Sequence, residues 1–337
     1  MKRGRCSALP DIPLAEWLYE EGIGENRAIL IEDGEIAEAI IEVPSDLRTG
    51  SVVPAKLAPI LIPGRRAIGK LDDGTEVLVE PVPAGITEGA AVRLEITREA
   101  LAEAGRLKRA KGRVTEGPEQ EGPSLRERLK GRRTCSSTGM DRLEQAGWSE
   151  VLEEAATGEI SFAGGGLRMS LTPAMTLFDV DGVLPPTALA EAGASAAGRA
   201  IRRLGIGGSI GIDLPTLPSK EGRQRAAAAL DAALPQPFER TAVNGFGFLQ
   251  IVRRRERASL AEILQGDPVG AAARALLRRA ERGHGARTIY AAPEVVARLE
   301  GTPQWLNMLE RRTGAEIFLR AQQDIAISAG HVHSAHS

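Results

Sequence analysis

The sequence predicts an α/β protein, α+β overall, in which a small β-barrel precedes a central α/β core and a smaller α/β domain. Short apolar runs broken by Asp-Gly and Pro-Gly turns fill residues 27–98, which is typical of a barrel of short strands. Strands and helices alternate from about residue 140 onward, which is typical of parallel crossover units. The length of 337 residues suits two or three domains.

The composition excludes several classes of protein. Lys and Arg number 43 and Asp and Glu 45, for a net charge of −2, so a nucleic-acid surface must be a local patch. Hydrophobic residues at 42% and charged residues at 26% exclude wholesale disorder. Apolar runs stay well below the roughly 18 residues of a membrane span, so we expect no membrane partner and no secretory signal. The two cysteines, Cys6 and Cys135, cannot build a disulfide framework, and we expect a cytoplasmic protein.

The N-terminal part begins with a tail, residues 1–13, and continues as a hairpin over 14–46 that we expect to join the core. Its strands are Arg27–Ile31 and Ile36–Glu42. The sequence Glu-Asp-Gly-Glu between them is a strong hairpin signal, because Asp-Gly accepts the positive φ angles of a tight turn.

The predicted barrel covers residues 47–99 and is of the oligonucleotide-binding (OB) type. Its strand candidates are Ser51–Leu57, Arg66–Leu71, Glu76–Val82 and Ala91–Thr97. The chain has no Phe, Tyr or Trp between Tyr19 and Trp148, so this barrel lacks the aromatic platforms on which such barrels stack bases.

Residues 100–139 form a basic linker with two runs of Arg and Lys, interrupted by Gly-Pro pairs. A solvated linker followed by a charged helix explains this composition. An arm that contacts phosphates is the alternative.

The core is predicted over residues 140–256. The strands Met175–Val180 and Ser209–Leu214 flank a helix at Pro186–Leu204, which predicts a parallel crossover. A helix at Lys220–Leu234 and a strand at Phe248–Arg253 continue the same strand–helix–strand pattern. We expect Phe246 and Phe248, which alternate at this strand, to belong to the core.

A small α/β domain is predicted over residues 257–327, followed by a tail over 328–337. On one of its helices Arg274, Arg278 and Arg282 recur every fourth residue, which predicts a solvated surface stripe.

Two aspartates carry the main chemical hypothesis. Asp179 ends one predicted strand and Asp213 ends the next, and parallel neighbours bring their carboxyl ends to one edge of the sheet. Two close carboxylates repel, and a divalent cation such as Mg²⁺ relieves that repulsion. The alternative is that each aspartate simply caps the turn after its strand.

A short motif suggests a competing enzyme. Phe178 to Leu184, Phe-Asp-Val-Asp-Gly-Val-Leu, resembles the nucleophile motif of haloacid dehalogenase-type phosphatases, in which Asp179 would attack phosphorus and Asp181 would act as acid and base. The only candidate for the downstream acidic group of that family is Gly266-Asp267.

A longer resemblance covers about residues 160–325 and is collinear. The blocks that carry it are Gly165–Gly182, Leu204–Leu214, Val243–Arg255 and Thr288–Leu299. Together they resemble the ribonuclease E/G family, and the N-terminal hairpin and barrel are similar in placement to its opening strands and S1 domain.

That resemblance implies a ribonuclease H-like/DNase I-like catalytic core and a metal-dependent endoribonuclease that acts on single-stranded RNA in RNA processing or decay. It implies that Asp179 and Asp213 hold Mg²⁺, or Mn²⁺ in its place. Asp181 stands where the family has an Asn near the scissile phosphate, and Ala174 where it has a Glu. The small C-terminal domain would support a homodimer.

The resemblance also implies RNA-binding residues and shows departures. RNA would be contacted by Asn244, by Arg253, Arg254 and Arg255, and by Arg133, which resembles part of a reduced 5′-end sensor. The stretch that matches the family's zinc link, about 256–275, has no cysteine, so we expect no zinc. The absent zinc link, Asp181 and the aromatic-free barrel motivate an alternative, a catalytically impaired RNA-binding relative.

Overall fold

A computed structural model describes residues 15–45, 47–103 and 106–334. The predicted N-terminal tail, with Cys6, and the end of the predicted C-terminal tail, with His336, lie outside these residues. The described chain is of mixed α/β class and includes a small closed barrel, so the coarse fold class is confirmed. No helix among the described residues is long and apolar enough to cross a membrane.

The N-terminal sheet contains the predicted hairpin. Its first strands are β1 (Ala15–Glu21), β2 (Asn26–Glu32) and β3 (Glu35–Glu42). Asp33 and Gly34 join β2 to β3 with φ angles of 51° and 84°, the positive values that the Asp-Gly turn signal predicts.

The barrel is closed, with five strands. It contains β4 (Val52–Ile62), β5 (Arg66–Lys70), β6 (Glu76–Val79), β7 (Ala91–Arg98) and, after the small hairpin β8 (Leu101–Glu103) and β9 (Arg106–Lys108), β10 (Ala110–Thr115). The strand order is β10-β6-β5-β4-β7. The predicted end of the barrel at residue 99 is therefore wrong. In the last strand, β10, Ala110 and Gly112 are buried, whereas Lys111 and Arg113 point outward. These outward basic residues explain why the sequence predicts a basic linker here instead of a strand.

The rest of the predicted linker also has structure. It contains α1 (Leu125–Arg128) and β11 (Arg133–Thr134), and α2 (Arg142–Gln145) and α3 (Trp148–Thr157) follow it. Leu125 and Leu129 are buried against Tyr19, and β11 pairs in parallel with β1. The segment is thus held to the N-terminal sheet by apolar burial and backbone pairing.

The central sheet has six strands in the order β12-β13-β14-β15-β17-β16. Its elements are β12 (Glu159–Phe162), β13 (Gly165–Leu171), β14 (Thr176–Gly182), α4 (Pro186–Arg203), β15 (Gly208–Asp213), α5 (Lys220–Ala233), β16 (Glu239–Arg240) and β17 (Phe248–Arg253). The β14–α4–β15 crossover is parallel, as predicted. β17 runs antiparallel to β15, so the expected continuation of the parallel pattern is wrong.

One face of the central sheet is covered and the other is open. Phe178, Val180 and Ile212 are buried in the main core, and α4 packs on this face through small residues such as Gly193. The same helix contacts β3, so it lies between the two sheets. Because side chains alternate along a strand, the residues between the buried ones point to the opposite, open face.

The C-terminal part is a small α/β unit. It contains α6 (Leu260–Gly266), α7 (Pro268–Glu281), β18 (Arg287–Ala291), α8 (Pro293–Glu300), α9 (Pro303–Thr313), β19 (Ile317–Ala321) and β20 (His331–Ser334). The prediction that the chain from 328 onward is a tail is wrong as far as Ser334. β20 pairs with β18, and His331 stacks on Tyr290 with ring centroids 5.0 Å apart.

A cluster of buried ions connects the N-terminal sheet to α7. We call it the buried ion-pair network; its members are Glu20, Glu25, Arg27, Asp141, Arg274, Arg278 and Arg282. The predicted surface stripe is therefore wrong for Arg274 and Arg278, which are 3% and 8% exposed. Their partner Glu25 lies in the turn between β1 and β2, far away in the sequence, so helical periodicity could not reveal it.

Candidate functional site

Five side chains form a row across the open face of the central sheet. Backbone pairing places Glu159, Arg168, Asp179, Asp213 and Phe248 opposite one another on β12, β13, β14, β15 and β17. Residues paired in this way project to the same face of a sheet. We call these five residues the carboxylate row.

Asp179 and Asp213 are direct neighbours in this row. They are register partners of the parallel pair β14–β15, and both are exposed. Adjacent strands lie about 4.8 Å apart, so the two carboxylates leave the sheet side by side. The predicted placement is found, and the role of the two residues as metal ligands remains a prediction.

Asp181 adds a third carboxylate to the same face, two residues after Asp179 on β14. Even so, the described residues contain no group of three or more His, Cys, Asp or Glu side chains close enough to hold a metal ion together. The proposal that Asp179 and Asp213 act as a two-carboxylate donor set remains a prediction. A set of two carboxylates completed by water and phosphate oxygens suits Mg²⁺.

Arg168 is the cation beside the pair, and sequence reasoning missed it. It lies opposite Asp179, and its Nε donates a 3.1 Å hydrogen bond to Glu159. That hydrogen bond raises the pKa of the Arg168 guanidinium above its ordinary value, and the charges of Asp179 and Asp181 add to the rise. The sequence does contain a signal for this position. If β13 and β14 are taken as a hairpin centred on the Pro173-Ala174 turn, Arg168 and Asp179 are equally far from the turn and pair across the two strands.

Asn244 shapes the turn that leads into β17. Its Oδ1 accepts hydrogen bonds from the backbone N–H groups of Phe246 and Phe248, at 2.9 and 3.0 Å. Gly247 has a φ of 98°, and a Cβ there would lie 2.1 Å from the carbonyl oxygen of Leu214. Asn244 thus lies beside the carboxylate row, as a residue that organises backbone, and its contact with RNA remains a prediction.

The two phenylalanines of this turn differ from the predicted core positions. Phe246 is 82% exposed, so its assignment to the core is wrong. Phe248 is half-buried, and its ring lies on the open face over Gly211, next to Leu177.

The arginines after β17 lie at the other end of the sheet. Arg253 pairs with Gly208, five residues along β17 from Phe248, or roughly 17 Å at the usual strand rise. Burial lowers the pKa of Arg253, which donates to the carbonyl of Ile206 at 3.1 Å. The expected position of Arg253, Arg254 and Arg255 near the aspartates is therefore wrong, because β17 runs antiparallel to β15. The binding of these arginines to RNA remains a prediction.

Arg254 and Arg255 line a cavity of about 840 Å³ between the barrel and the amino-terminal edge of β14 and β15. Arg254 is largely exposed, and Arg255 is paired with Glu262. Lys111 of the barrel also lines this cavity and pairs with Glu80 at 2.9 Å. Arg254, Arg255 and Lys111 therefore lie at one end of the central sheet, each paired with a glutamate, whereas the exposed Asp179 and Asp213 lie at the other end.

Two further sequence candidates lie away from the carboxylate row. Arg133 belongs to the N-terminal sheet, where its Nε is 2.9 Å from Glu16, and its role as an RNA contact remains a prediction. Asp267, the candidate acid of the phosphatase hypothesis, caps α7 by accepting from the Gly270 N–H and pairs with Arg298. That carboxylate already has a structural task at the start of a helix.

No family model and no curated protein matches this chain. The resemblance to the ribonuclease E/G family therefore remains an expectation. A function can therefore be proposed only from the geometry of the carboxylate row.

Proposed function

We propose that this protein is a Mg²⁺-dependent endoribonuclease that hydrolyses phosphodiester bonds in single-stranded RNA, in RNA processing or decay. The observation that carries the proposal is the register of β14 and β15, which pairs Asp179 with Asp213 on the open face. The proposal includes a ribonuclease H-like/DNase I-like core and an S1/OB-type barrel, as in the ribonuclease E/G family.

The donor set fits the proposed metal. Two adjacent exposed carboxylates repel each other, and a small hard cation bound between them removes that repulsion. Both side chains are accessible, so water and phosphate oxygens can complete the coordination. When bound, Mg²⁺ polarises a phosphodiester and lowers the pKa of a bound water. Mn²⁺ fits the same donors, and the 256–275 stretch without cysteine offers no thiolate for zinc.

The neighbouring side chains have separate tasks. Arg168, beside Asp179, is placed to attract a phosphate oxygen, in competition with its present partner Glu159. Asp181 lies further along β14 and adds negative charge, which opposes phosphate binding unless a cation neutralises it. The preference for single-stranded RNA comes from the resemblance to the ribonuclease E/G family.

The decisive experiment replaces one carboxylate. We expect Asp213→Asn to reduce cleavage of a labelled single-stranded RNA by at least about 100-fold across a Mg²⁺ or Mn²⁺ titration, since even indirect partners of metal ligands contribute 10- to 100-fold. RNA binding, measured by filter retention, should persist. Glu300→Gln, which neutralises an exposed carboxylate on α8, is the matched control and should cleave at the wild-type rate. Equal cleavage by Asp213→Asn and wild type would refute the proposal.

The second candidate is a catalytically impaired RNA-binding relative. Asp181 favours it, because a third carboxylate on the substrate face repels the phosphodiester. RNA retention without cleavage at any Mg²⁺ or Mn²⁺ concentration would support this candidate. Cleavage that depends on Asp179 and Asp213 would exclude it.

The phosphatase is a third, minor candidate. Hydrolysis of an aryl phosphate that is lost in Asp179→Asn would support it. The expected homodimer through the C-terminal unit belongs to the main proposal and is checked by light scattering.

A further inference from the structure

Two of the most exposed apolar side chains of the described chain lie at the acidic edge of the central sheet. Val183 follows the end of β14 and is 92% exposed, and Phe246 precedes β17 and is 82% exposed. Full burial of one Phe is worth about 1.5–3 kcal/mol, so a ligand that covered this ring beside the candidate active site would gain binding free energy.

The position of Phe246 relative to Asp213 is fixed by backbone contacts. β17 begins at Phe248, which pairs with Asp213. The carbonyl of Gly247 accepts from the N–H of Leu214 at 3.3 Å, and the carbonyl of Phe246 lies 3.4 Å from the Thr216 hydroxyl. Phe246 therefore lies two residues before the register partner of Asp213, beside the segment from Leu214 to Thr216 that follows β15.

Backbone hydrogen bonds define the turn that carries the ring. Asn244 Oδ1 accepts from two backbone N–H groups, and Gly247 holds a conformation that a side chain would block against Leu214. A ring displayed on an ordered turn loses little conformational freedom when a ligand covers it. Asn244 is thus a positioning residue for Phe246.

The charge of the edge limits which contacts can hold a nucleic acid. Asp179, Asp181 and Asp213 share the open face, so a phosphate alone is repelled there. Even with a cation at the pair and Arg168 beside it, Asp181 opposes phosphate binding, so an attraction that does not depend on charge would strengthen substrate binding. The flat face of a base against an aromatic ring provides such an attraction. The barrel cannot provide it, because the chain lacks Phe, Tyr and Trp between Tyr19 and Trp148.

We propose that Phe246 stacks on the base of the RNA nucleotide next to the phosphate that a cation at Asp179 and Asp213 would bind, and that it provides the base stacking that the aromatic-free barrel cannot provide. The inference rests on the proposed function, since it needs a single-stranded RNA on the open face. Phe246 then contributes to affinity and to base preference near the cleavage point.

The test measures binding of a fluorescent ten-nucleotide RNA by anisotropy, with every variant in the Asp213→Asn background so that the RNA stays intact. Phe246→Ala should weaken binding roughly tenfold, the usual contribution of one stacked base. Phe246→Trp should restore it, and Phe246→Leu, which is apolar without a π-face, should not. Phe318→Ala changes a 45% exposed aromatic residue on β19 and should bind like the parent.

A second arm locates the contact with RNAs that lack one base at successive positions. The parent should lose affinity at one position, and Phe246→Ala should be insensitive to the missing base there. Circular dichroism and thermal melting check that the variants fold, as expected for a side chain that is 82% exposed.

The outcomes separate this inference from the proposed function. Equal affinity of Phe246→Ala and parent, or full rescue by Phe246→Leu, overturns stacking even if the wild-type protein cleaves RNA. A tenfold loss with rescue by Phe246→Trp supports stacking even if the wild-type protein cleaves nothing, in which case only the nuclease proposal fails. A concentration-dependent dimer that Phe246→Ala dissolves would assign the ring to self-association and overturn the inference, as would failure of the parent to bind RNA.

Discussion

The buried ion-pair network and the carboxylate row use charge in opposite ways. In the network Glu20 and Arg27 are each 1% exposed, and guanidinium and carboxylate groups surround one another. In the row Asp179 and Asp213 are exposed, and each has a like charge as its neighbour on the next strand. Paired charges inside a protein make the fold depend on the presence of both partners, whereas adjacent like charges at its surface remain available to a cation or a substrate.

The largest expected effect on stability is in the network. Glu25 accepts from Arg274 Nε at 3.0 Å and Arg278 Nη1 at 2.5 Å, with all three side chains buried. Glu25→Ala leaves two buried guanidinium groups without their carboxylate and should lower the free energy of unfolding by about 3–5 kcal/mol. Equilibrium urea unfolding measures this loss.

Glu21→Ala is the control for that measurement. Glu21 is on the same hairpin but 57% exposed, 3.7 Å from Arg312. Such a surface pair contributes less than about 1 kcal/mol. Equal losses in the two variants would contradict the distinction between buried and exposed charge.

A smaller effect depends on pH. Burial alone would raise the pKa of Asp141, but the charge and hydrogen bonds of Arg27 and the N–H of Glu144 outweigh burial, and the pKa lies below its ordinary value. The ionised carboxylate therefore stabilises the fold above about pH 4, and this stabilisation is lost as pH falls through the lowered folded-state pKa.

Asp141→Asn isolates this contribution, because Asn also caps helices and Asp141 is the N-cap of α2. The variant should be less stable than wild type at pH 7, and the difference should shrink below about pH 4. Urea midpoints between pH 7 and pH 3 measure it. If the difference in stability between Asp141→Asn and wild type stayed constant from pH 7 to pH 3, the negative charge of Asp141 would not be the source of the stabilisation.

The smallest effect, of opposite sign, is expected in the row. Asp213→Asn removes one of two like charges on paired positions and should stabilise the fold by about 0.2–1 kcal/mol. The gain should decrease in 0.5 M salt, because salt screens exposed charges. Thermal unfolding of Asp213→Asn and Glu300→Gln tests this, and a clear loss of stability in Asp213→Asn would mean that its carboxylate has a structural role.

The sequence was sufficient where local patterns decide the structure. The predicted crossover agrees closely, because a proline starts α4 at Pro186 and glycines end it before Gly208. The two strands it joins are parallel neighbours, so the pairing of Asp179 with Asp213 could be anticipated.

The direction of β17 and the ion-pair partners that lie far away in the sequence could not be predicted. β16 has only two residues, Glu239 and Arg240, which are too few to show the alternating pattern that predicts a strand. The chain after β16 turns back, so β17 runs antiparallel to β15 and Arg253 lies far from Asp213. The burial of Arg274 depends on Glu25, which no spacing along α7 encodes. The barrel strand β10 could not be recognised in the sequence, because its outward basic residues, Lys111 and Arg113, resemble those of a solvated linker.

The turn between β1 and β2 has a consequence for synthesis on the ribosome. Glu25 is made 249 residues before Arg274, and Gly24 of the same turn lies against Trp305 of α9. The nascent hairpin therefore keeps an unmatched carboxylate and an uncovered turn until α7 and α9 have been synthesised. A chain that stops before α7 would leave exposed the surface of this turn that Arg274 and Trp305 otherwise cover.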